Sequence, residues 1–203
     1  MMRSGLFIVL YGINGIGKST QVKKLIERLR SQGEQFVSWK YPAYDLAPTG
    51  PMLNDYLRNG NPLDLLPREF QIIQAMNRTH RECMPGGLRT HIKNGTHVVA
   101  EDYIGTSIAW GMGAGVEKNF LTTLNSHLHK PDIEILLDGE PFVGSEEKQH
   151  RHENDHSMVD RVRDIHLDLA REFGWSVVPA EQKMEDVHGD IWRIVEPRLL
   201  VQA

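Results

Sequence analysis

Eight residues near the amino terminus have the types and spacing needed to hold a chain of phosphates. Residues 12–19 read GINGIGKS, which fits the pattern G-x-x-x-x-G-K-[ST] in full. Glycines let the backbone fold so that its N–H groups point at phosphate oxygens, and a following helix adds partial positive charge. In such a loop the lysine contacts the β- and γ-phosphates and the hydroxyl contacts Mg²⁺. The pattern therefore predicts that ATP and Mg²⁺ bind at Gly12, Asn14, Gly15, Ile16, Gly17, Lys18, Ser19 and Thr20.

The flanking sequence places residues 12–20, here called the phosphate loop, in the context that the pattern requires. Residues 6–11 (LFIVLY) are a continuous apolar run, typical of a strand that is covered on both faces of a parallel sheet. Residues 19–30 carry an apolar stripe at helical spacing, formed by Val22, Leu25, Ile26 and Leu29. A chance glycine-rich turn is the alternative, and a buried strand followed by an amphipathic helix disfavours it.

Strand and helix patterns alternate along the rest of the chain, which predicts an α/β fold with a parallel sheet. Further strands are predicted over residues 36–41, 96–101, 132–138 and 175–179. Helices are predicted over 52–58, 67–81 (resuming after a break at 85–87), 124–128, 159–173 and 184–200. We expect one domain over residues 1–203 with the three-layer fold of P-loop kinases, about five strands and helices on both faces. Residues 140–156 are polar and histidine-rich, so we expect them to form a mobile lid.

Composition narrows the function classes. The 203 residues suffice for one buried core, and the formal charge of −4 lacks the strongly basic footprint of proteins that grip nucleic acid. Cys83 is the only cysteine, which excludes an internal disulfide and an all-cysteine zinc site. No apolar run approaches the roughly 20 residues that cross a bilayer, and residues 1–5 lack the layout of a signal peptide. We expect a cytoplasmic protein without a membrane partner.

The phosphate loop alone does not separate a kinase from other nucleoside triphosphatases. A GTPase would need an Asn-Lys-x-Asp element to read the base, which the sequence lacks, and a motor-type ATPase is usually larger. Glu101 ends a predicted buried strand, so its carboxylate should face the crevice at the carboxyl edge of the sheet. Glu101 is therefore a candidate site residue by its position alone.

With these features, the chain resembles the thymidylate kinases over nearly its whole length. Residues 12–25 (GINGIGKSTQVKKL) are close to the opening of that family, and residues 75–78 (AMNR) resemble the helix that holds the thymine. Residues 98–113 (VVAEDYIGTSIAWGMG) lie where the family has its Asp-Arg-Tyr motif, and residues 151–154 (RHEN) resemble its lid. The resemblance implies an ATP-dependent nucleotide kinase that forms a homodimer.

The resemblance also implies a role for each matching position. Lys18 and Ser19 would hold the donor phosphates and Mg²⁺, and Arg151 would neutralise charge on the transferred phosphoryl group. Glu101 would hold a magnesium-bound water or the acceptor. Arg78 would hydrogen-bond the acceptor base, and Tyr103 and Trp110 would form walls of the acceptor pocket. Without the resemblance, a solvated helix charge and a core tryptophan are the plain interpretations of Arg78 and Trp110.

The departures from the family pattern fall mostly on the acceptor side. Asp102 stands where the family has the arginine that grips the acceptor phosphate, and a reversed charge there opposes an anion. Ala43 and Tyr44 follow Pro42 where a second phosphate-binding arginine is usual. Gln74 replaces the phenylalanine that stacks on thymine, and Asn14 replaces an acidic residue. Three cations are candidates to hold the phosphate instead: Lys40, Arg58 and Arg81.

Three functions remain open at this stage. We favour transfer of the ATP γ-phosphate to a deoxynucleoside monophosphate, dTMP or a related pyrimidine nucleotide. The second candidate is a kinase acting on a nucleoside or on the hydroxyl of a modified base, such as a hydroxymethylated pyrimidine, even within DNA. Glu101 would then be the general base. The third is a non-catalytic regulator that binds nucleotide.

Overall fold

The computed structural model describes residues 4–142 and 156–201. Its five strands form one parallel sheet in the order β2-β3-β1-β4-β5. The strands are β1 (Phe7–Tyr11), β2 (Phe36–Lys40), β3 (His97–Glu101), β4 (Ile133–Asp138) and β5 (Ser176–Pro179). The helices are α1 (Lys18–Ser31), α2 (Thr49–Arg58), α3 (Pro67–Cys83), α4 (Leu88–Lys93), α5 (Ile104–Gly113), α6 (Lys118–Asn125), α7 (His156–Phe173) and α8 (Met184–Val201).

The two central strands bring the phosphate loop and the acidic strand end to one edge of the sheet. Every residue of β1 and β3 is buried, in keeping with the apolar sequence of β1 and the apolar centre of β3. Leu10 of β1 pairs with Glu101 of β3. Because parallel strands end at the same edge, the residues that follow them, Gly12 and Asp102, lie close together at the crevice.

Helices α1 and α8 pack together in one layer, and α5 packs with α6 and α7 in another. The approach of α5 to the sheet requires a glycine at its second position. A Cβ at Gly105 would lie 2.4 Å from a ring carbon of Trp175 and 2.9 Å from a ring carbon of Tyr11.

The predicted fold class is confirmed: a five-stranded parallel sheet surrounded by helices. No helix in residues 4–142 or 156–201 is long and apolar enough to span a membrane.

Two features of the fold differ from the prediction. Helix α5 was not predicted, because its sequence (IGTSIAWGMG) has no polar face and three glycines. Those glycines are needed for packing: a Cβ at Gly113 would lie 2.6 Å from Val162. The helix predicted over residues 124–128 is misplaced, since α6 spans Lys118–Asn125. Leu128 lies beyond the helix and is apolar because it is buried in the core.

A buried carboxylate ties α3 to the strands and loops beside it. Glu82 is 1% exposed, and its Oε2 accepts hydrogen bonds from the His129 amide at 2.9 Å and the Tyr103 hydroxyl at 3.3 Å. Its Oε1 accepts from Arg89 Nε at 2.7 Å. Glu82 therefore has a structural role, although it lies on the helix that the resemblance assigns to base recognition.

We expect Glu82→Ala to lower the free energy of unfolding by roughly 3 kcal/mol, because it leaves two buried donors without an acceptor. Urea unfolding monitored by circular dichroism measures the change. Glu185→Ala is the control, since Glu185 forms an exposed ion pair with Lys24, and such pairs contribute little. Equal stability of the two variants would contradict the role of Glu82.

Candidate active site

The glycines of the phosphate loop adopt backbone conformations that other residues avoid. Gly12, Gly15 and Gly17 have φ values of 142°, 75° and 94°. At Gly12 space is also limiting, because a Cβ would lie 2.7 Å from the carbonyl oxygen of Leu137 in β4. The predicted glycine positions are therefore required by the shape of the loop.

The amino-terminal end of α1 provides backbone N–H groups at the mouth of this loop. The first helical turn leaves its amides without intrahelical acceptors, and here these are the amides of Lys18, Ser19 and Thr20. Gln21 is the first to bond back along the helix, to the Gly17 carbonyl at 3.1 Å. The first turn holds no acidic residue, so nothing in it opposes an anion.

Lys18 is held across the loop by backbone carbonyls. Its side chain is buried, and Nζ donates to the carbonyl oxygens of Gly12 and Ile13, both at 2.9 Å. Asp102 Oδ1 lies 3.7 Å from the same nitrogen. The lysine charge is therefore fixed at the end of β1, where the loop begins.

Glu101 links the phosphate loop to β2. Ser19 Oγ donates to its Oε2 at 2.6 Å, and Lys40 Nζ lies 2.6 Å from its Oε1. Burial acts to raise the pKa of Glu101, but the hydrogen bonds from Lys40 and Ser19 and the charges of Lys40 and Lys18 outweigh it and lower that pKa. Glu101 is therefore an ionised carboxylate at neutral pH.

The oxygen atoms of Ser19 and Glu101 suit Mg²⁺. This ion is usually bound through one or two protein oxygens together with waters and substrate phosphates. Within residues 4–142 and 156–201 no cluster of three or more His, Cys, Asp or Glu side chains is arranged to hold a metal. Ser19 and Glu101 together supply two protein oxygens beside the phosphate loop.

Asp102 is turned towards the donor side of the site. Its φ of 63° lies in the left-handed region, which is uncommon for residues other than glycine. Thr106 Oγ1 donates to its Oδ1 at 2.7 Å, the same oxygen that lies near Lys18. Burial raises the pKa of Asp102, and the opposing charge of Lys18 only partly offsets this.

We expect Asp102→Asn to raise the melting temperature at pH 7 by about 2–4 °C. When folding raises the pKa of a carboxyl, the protein loses stability as pH rises from the unfolded pKa of that group to its folded pKa. An amide cannot ionise, so the asparagine variant avoids this loss. Asparagine also tolerates the left-handed backbone. The difference between the two proteins should shrink as pH is lowered towards 4.

The matched control is Asp64→Asn, because Asp64 also has a positive φ, of 49°, but is exposed. Scanning calorimetry at several pH values measures both variants. A melting temperature of the Asp102 variant at or below that of the wild type would show that the ion pair with Lys18 outweighs burial.

A cleft of about 440 Å³ joins the phosphate loop to a pocket between α3 and α5. It is lined by most of the predicted site residues: Asn14, Gly15, Gly17, Lys18, Ser19, Thr20, Gln74, Arg78, Glu101, Asp102, Tyr103 and Trp110. Gly12 and Ile16 are not among the lining residues, since Gly12 lies against β4 and the Ile16 side chain is in the core. Arg151 and most of the predicted lid lie outside the described residues.

Arg78 lines this cleft and is buried. It is 2% exposed, so a solvated helix charge is the wrong interpretation. Nη1 donates to Gln74 Oε1 at 3.0 Å and Nη2 donates to Ser107 Oγ at 2.7 Å. Burial lowers the pKa of Arg78 to about 10, which leaves it charged at neutral pH. Gln74, four residues earlier on α3, therefore orients the guanidinium at the pocket.

Trp110 satisfies both interpretations considered for it, because it belongs to the core cluster and also lines the cleft.

The cleft also contains residues that the sequence did not single out as site residues, among them Thr106 and Phe142. Phe142 N–H donates to the Gly15 carbonyl at 3.1 Å, and its ring lies 3.1 Å from the position of a Cβ at Gly17. In the sequence, this contact is indicated by an aromatic residue, Phe142, within a polar segment.

The model of one protein family, described as thymidylate kinase, matches residues 10–191 of the chain. The chain belongs to the thymidylate kinase family. A probable thymidylate kinase of Pyrobaculum aerophilum is 28% identical over 197 residues, which cover 94% of this chain and 96% of that protein. A thymidylate kinase of Dictyostelium discoideum is 23% identical over 97% of this chain and 87% of its own length.

Solved structures agree with this family assignment at the level of the fold. The structure of thymidylate kinase from Candida albicans matches with a TM-score of 0.83 at 20% identity, over 98% of this chain and 94% of that one. Thymidylate kinase from Ehrlichia chaffeensis matches with a TM-score of 0.75 at 19% identity. The cleft described above is thus built on the fold of a thymidylate kinase.

Proposed function

We propose that this thymidylate kinase family member transfers the γ-phosphoryl group of ATP to dTMP. The observation that carries the proposal is the continuous cleft, which has Lys18, Ser19 and Glu101 at one end and Gln74 and Arg78 at the other. A phosphate loop without an acceptor pocket would serve a simple nucleotide sensor equally well. Here the same cleft extends from the phosphate loop to Gln74 and Arg78, which supports transfer between two bound nucleotides.

At the donor end the amides of the phosphate loop and Lys18 would hold the phosphates of ATP, and Ser19 and Glu101 would hold Mg²⁺ directly or through water. Bound Mg²⁺ would neutralise charge on the transferred group. Positive φ values at the loop glycines and the start of α1 at Lys18 support this role, because a glycine-rich loop that leads into a helix suits an anion. Arg151 keeps its proposed role in neutralising charge, as a prediction from the resemblance.

The state of Glu101 supports a phosphate acceptor over a hydroxyl acceptor. A general base works best when its pKa lies near the working pH, whereas contacts with Lys40 and Ser19 lower the pKa of Glu101. A nucleoside monophosphate needs no such base, because its second pKa is about 6 and its oxygens are ionised at neutral pH. A hydroxyl of a nucleoside or of a modified base would need its proton removed.

In the part of the cleft between α3 and α5, Arg78 and Gln74 would hydrogen-bond the base, and Tyr103 and Trp110 would form the pocket walls. The buried guanidinium is held in one orientation by Gln74 and Ser107, so it offers a fixed donor direction instead of a mobile charge. Such a group supports recognition of a base carbonyl. The homodimer and the cytoplasmic location implied by the resemblance remain predictions.

The experiment is a kinase assay of the full chain with ATP and Mg²⁺, in which products are identified by mass spectrometry. Acceptors are dTMP, dUMP, thymidine and an oligonucleotide containing hydroxymethyluracil. We expect dTDP from dTMP, a slower reaction with dUMP and none with the other two. Phosphorylation of thymidine or of the oligonucleotide without dTDP formation would overturn the proposal in favour of the hydroxyl acceptor. ATP binding without any product would favour the regulator.

A further inference from the structure

The cleft is lined by two cations to which the family resemblance assigns no function. Resting on the function proposed above, we propose that Lys40 and Arg58 bind the phosphate group of the acceptor nucleotide. They would replace the two arginines that the family carries, one where this chain has Asp102 and one in the segment Ala43–Tyr44. The inference adds specificity-determining residues on β2 and α2 to the same site.

Lys40 reaches the cleft because of strand register. It is the last residue of β2 and pairs directly with Glu101, the last residue of β3. Its ammonium lies 2.6 Å from Glu101 Oε1, while 58% of its side chain remains exposed along the cleft. An ammonium group has three donors, so it can bridge Glu101 and a phosphate at the same time.

Arg58 reaches the same space from α2. It is the last residue of that helix, and its guanidinium carbon lies 4.7 Å from the centre of the Tyr44 ring. Both Arg58 and Tyr44 line the cleft. Stacking on the ring restrains the guanidinium plane, and a planar guanidinium can bind two phosphate oxygens at once.

Electrostatic effects on Tyr44 place these groups close together. Burial raises the pKa of the Tyr44 hydroxyl, while Arg58 and Lys40 both act to lower it and Asp102 acts to raise it. All three charged groups therefore act on one hydroxyl at the position where the family carries an arginine. Tyr44 would then place the two cations and could donate its own hydroxyl to the phosphate.

Arg81, the third candidate cation, lies outside the cleft. Arg81 Nη2 donates to both carboxylate oxygens of Asp45, at 3.1 and 3.3 Å, and its guanidinium lies over the ring of Trp39. It is not among the residues lining the cleft. Arg78 is bound to Gln74 and Ser107 at the base end.

The reversed charge at position 102 is partly offset by its own partners. Asp102 is paired with Lys18 and Thr106 on the donor side. Among residues 4–142 and 156–201, four cations line the cleft against two carboxylates: Lys18, Lys40, Arg58 and Arg78 against Glu101 and Asp102. A phosphate next to Lys40 and Arg58 would thus meet a net positive charge from this part of the lining.

The test compares the binding of dTMP and thymidine, which differ only in the phosphate, by isothermal titration calorimetry without ATP or metal. The variants are Arg58→Gln and Lys40→Gln in the full chain, with Arg81→Gln as the matched control. We expect each of the first two to weaken dTMP binding by about 10- to 100-fold, the range for a lost charged hydrogen bond, and to leave thymidine binding unchanged. The control should bind both ligands as the wild type does.

Charge-conserving variants distinguish the loss of a phosphate contact from a loss of folding. Arg58→Lys and Lys40→Arg should recover part of the preference for dTMP over thymidine, whereas a purely structural defect would weaken both ligands. The inference is overturned if the two glutamine variants bind dTMP as the wild type does, or lose dTMP and thymidine equally. If that happens while the wild type still makes dTDP, only the inference fails. A wild type that neither binds nor phosphorylates dTMP would refute the proposed function as well.

Discussion

Replacing Lys18 with methionine is expected to lower kcat for phosphoryl transfer by about 10²- to 10³-fold or more, the cost of losing a preorganised group that stabilises transition-state charge. The lysine is fixed at the mouth of the phosphate loop by two carbonyls at 2.9 Å, so its charge need not be reorganised when phosphates bind. Methionine keeps the buried aliphatic part of the side chain and removes only the ammonium. Steady-state kinetics with ATP and dTMP measures the loss.

Folding must be separated from catalysis in this variant, because the ammonium also satisfies the Gly12 and Ile13 carbonyls. Its melting temperature should lie within a few degrees of the wild type, and saturating ATP should raise it less than it raises that of the wild type. Lys23→Met is the control, since Lys23 is exposed on the same helix. Turnover within tenfold of the wild type in the Lys18 variant would refute the site assignment.

The donor half of the site is predictable from sequence because its constraints are local. Positive φ values at Gly15 and Gly17, and the start of α1 at Lys18, are properties of a short continuous segment. The apolar run of β1 then predicts that this segment follows a buried strand. Glu101 was predicted on the same basis, as the polar residue that ends a second buried strand.

The acceptor half depends on contacts between distant segments, and the sequence left several candidates for it. Lys40 meets Glu101 only because β2 lies next to β3 in the sheet, an order that periodicity does not reveal. Arg58 meets Tyr44 across the loop that joins β2 to α2. Arg81 was an equal candidate in the sequence and proved to be paired with Asp45.

Asp102 shows a further limit, because the direction of a side chain depends on a backbone angle. The sequence predicts repulsion of the acceptor phosphate from a carboxylate at this position. In the left-handed conformation, with φ of 63°, the carboxylate instead faces Lys18 and Thr106. Aspartate tolerates this region better than most residues, but nothing in the neighbouring residues predicts that it is used here.

Replacing Glu101 with glutamine is expected to lower kcat by about 10²- to 10⁴-fold, the range associated with loss of a positioned catalytic group. The amide keeps the shape of the side chain and can still accept from Ser19, but it loses the negative charge that pairs with Lys40 and attracts Mg²⁺. The variant should therefore also need a higher Mg²⁺ concentration for half-maximal rate. Glu134→Gln is the control, because Glu134 is a half-buried carboxylate on strand β4 of the same sheet that accepts a hydrogen bond from Tyr11 outside the cleft.

The pH dependence of the same two proteins distinguishes a metal-holding carboxylate from a general base. Lys40 and Ser19 lower the pKa of Glu101. The ionised side chain therefore stabilises the fold at every pH above the unfolded pKa of Glu101, and this contribution is lost only as pH falls below that value. Between pH 5.5 and 8.5, any rise of the rate with pH in the wild type should therefore also be present in the glutamine variant. A rise that disappears in the glutamine variant would mean that Glu101 takes up a proton during turnover, and a hydroxyl would then replace phosphate as the acceptor.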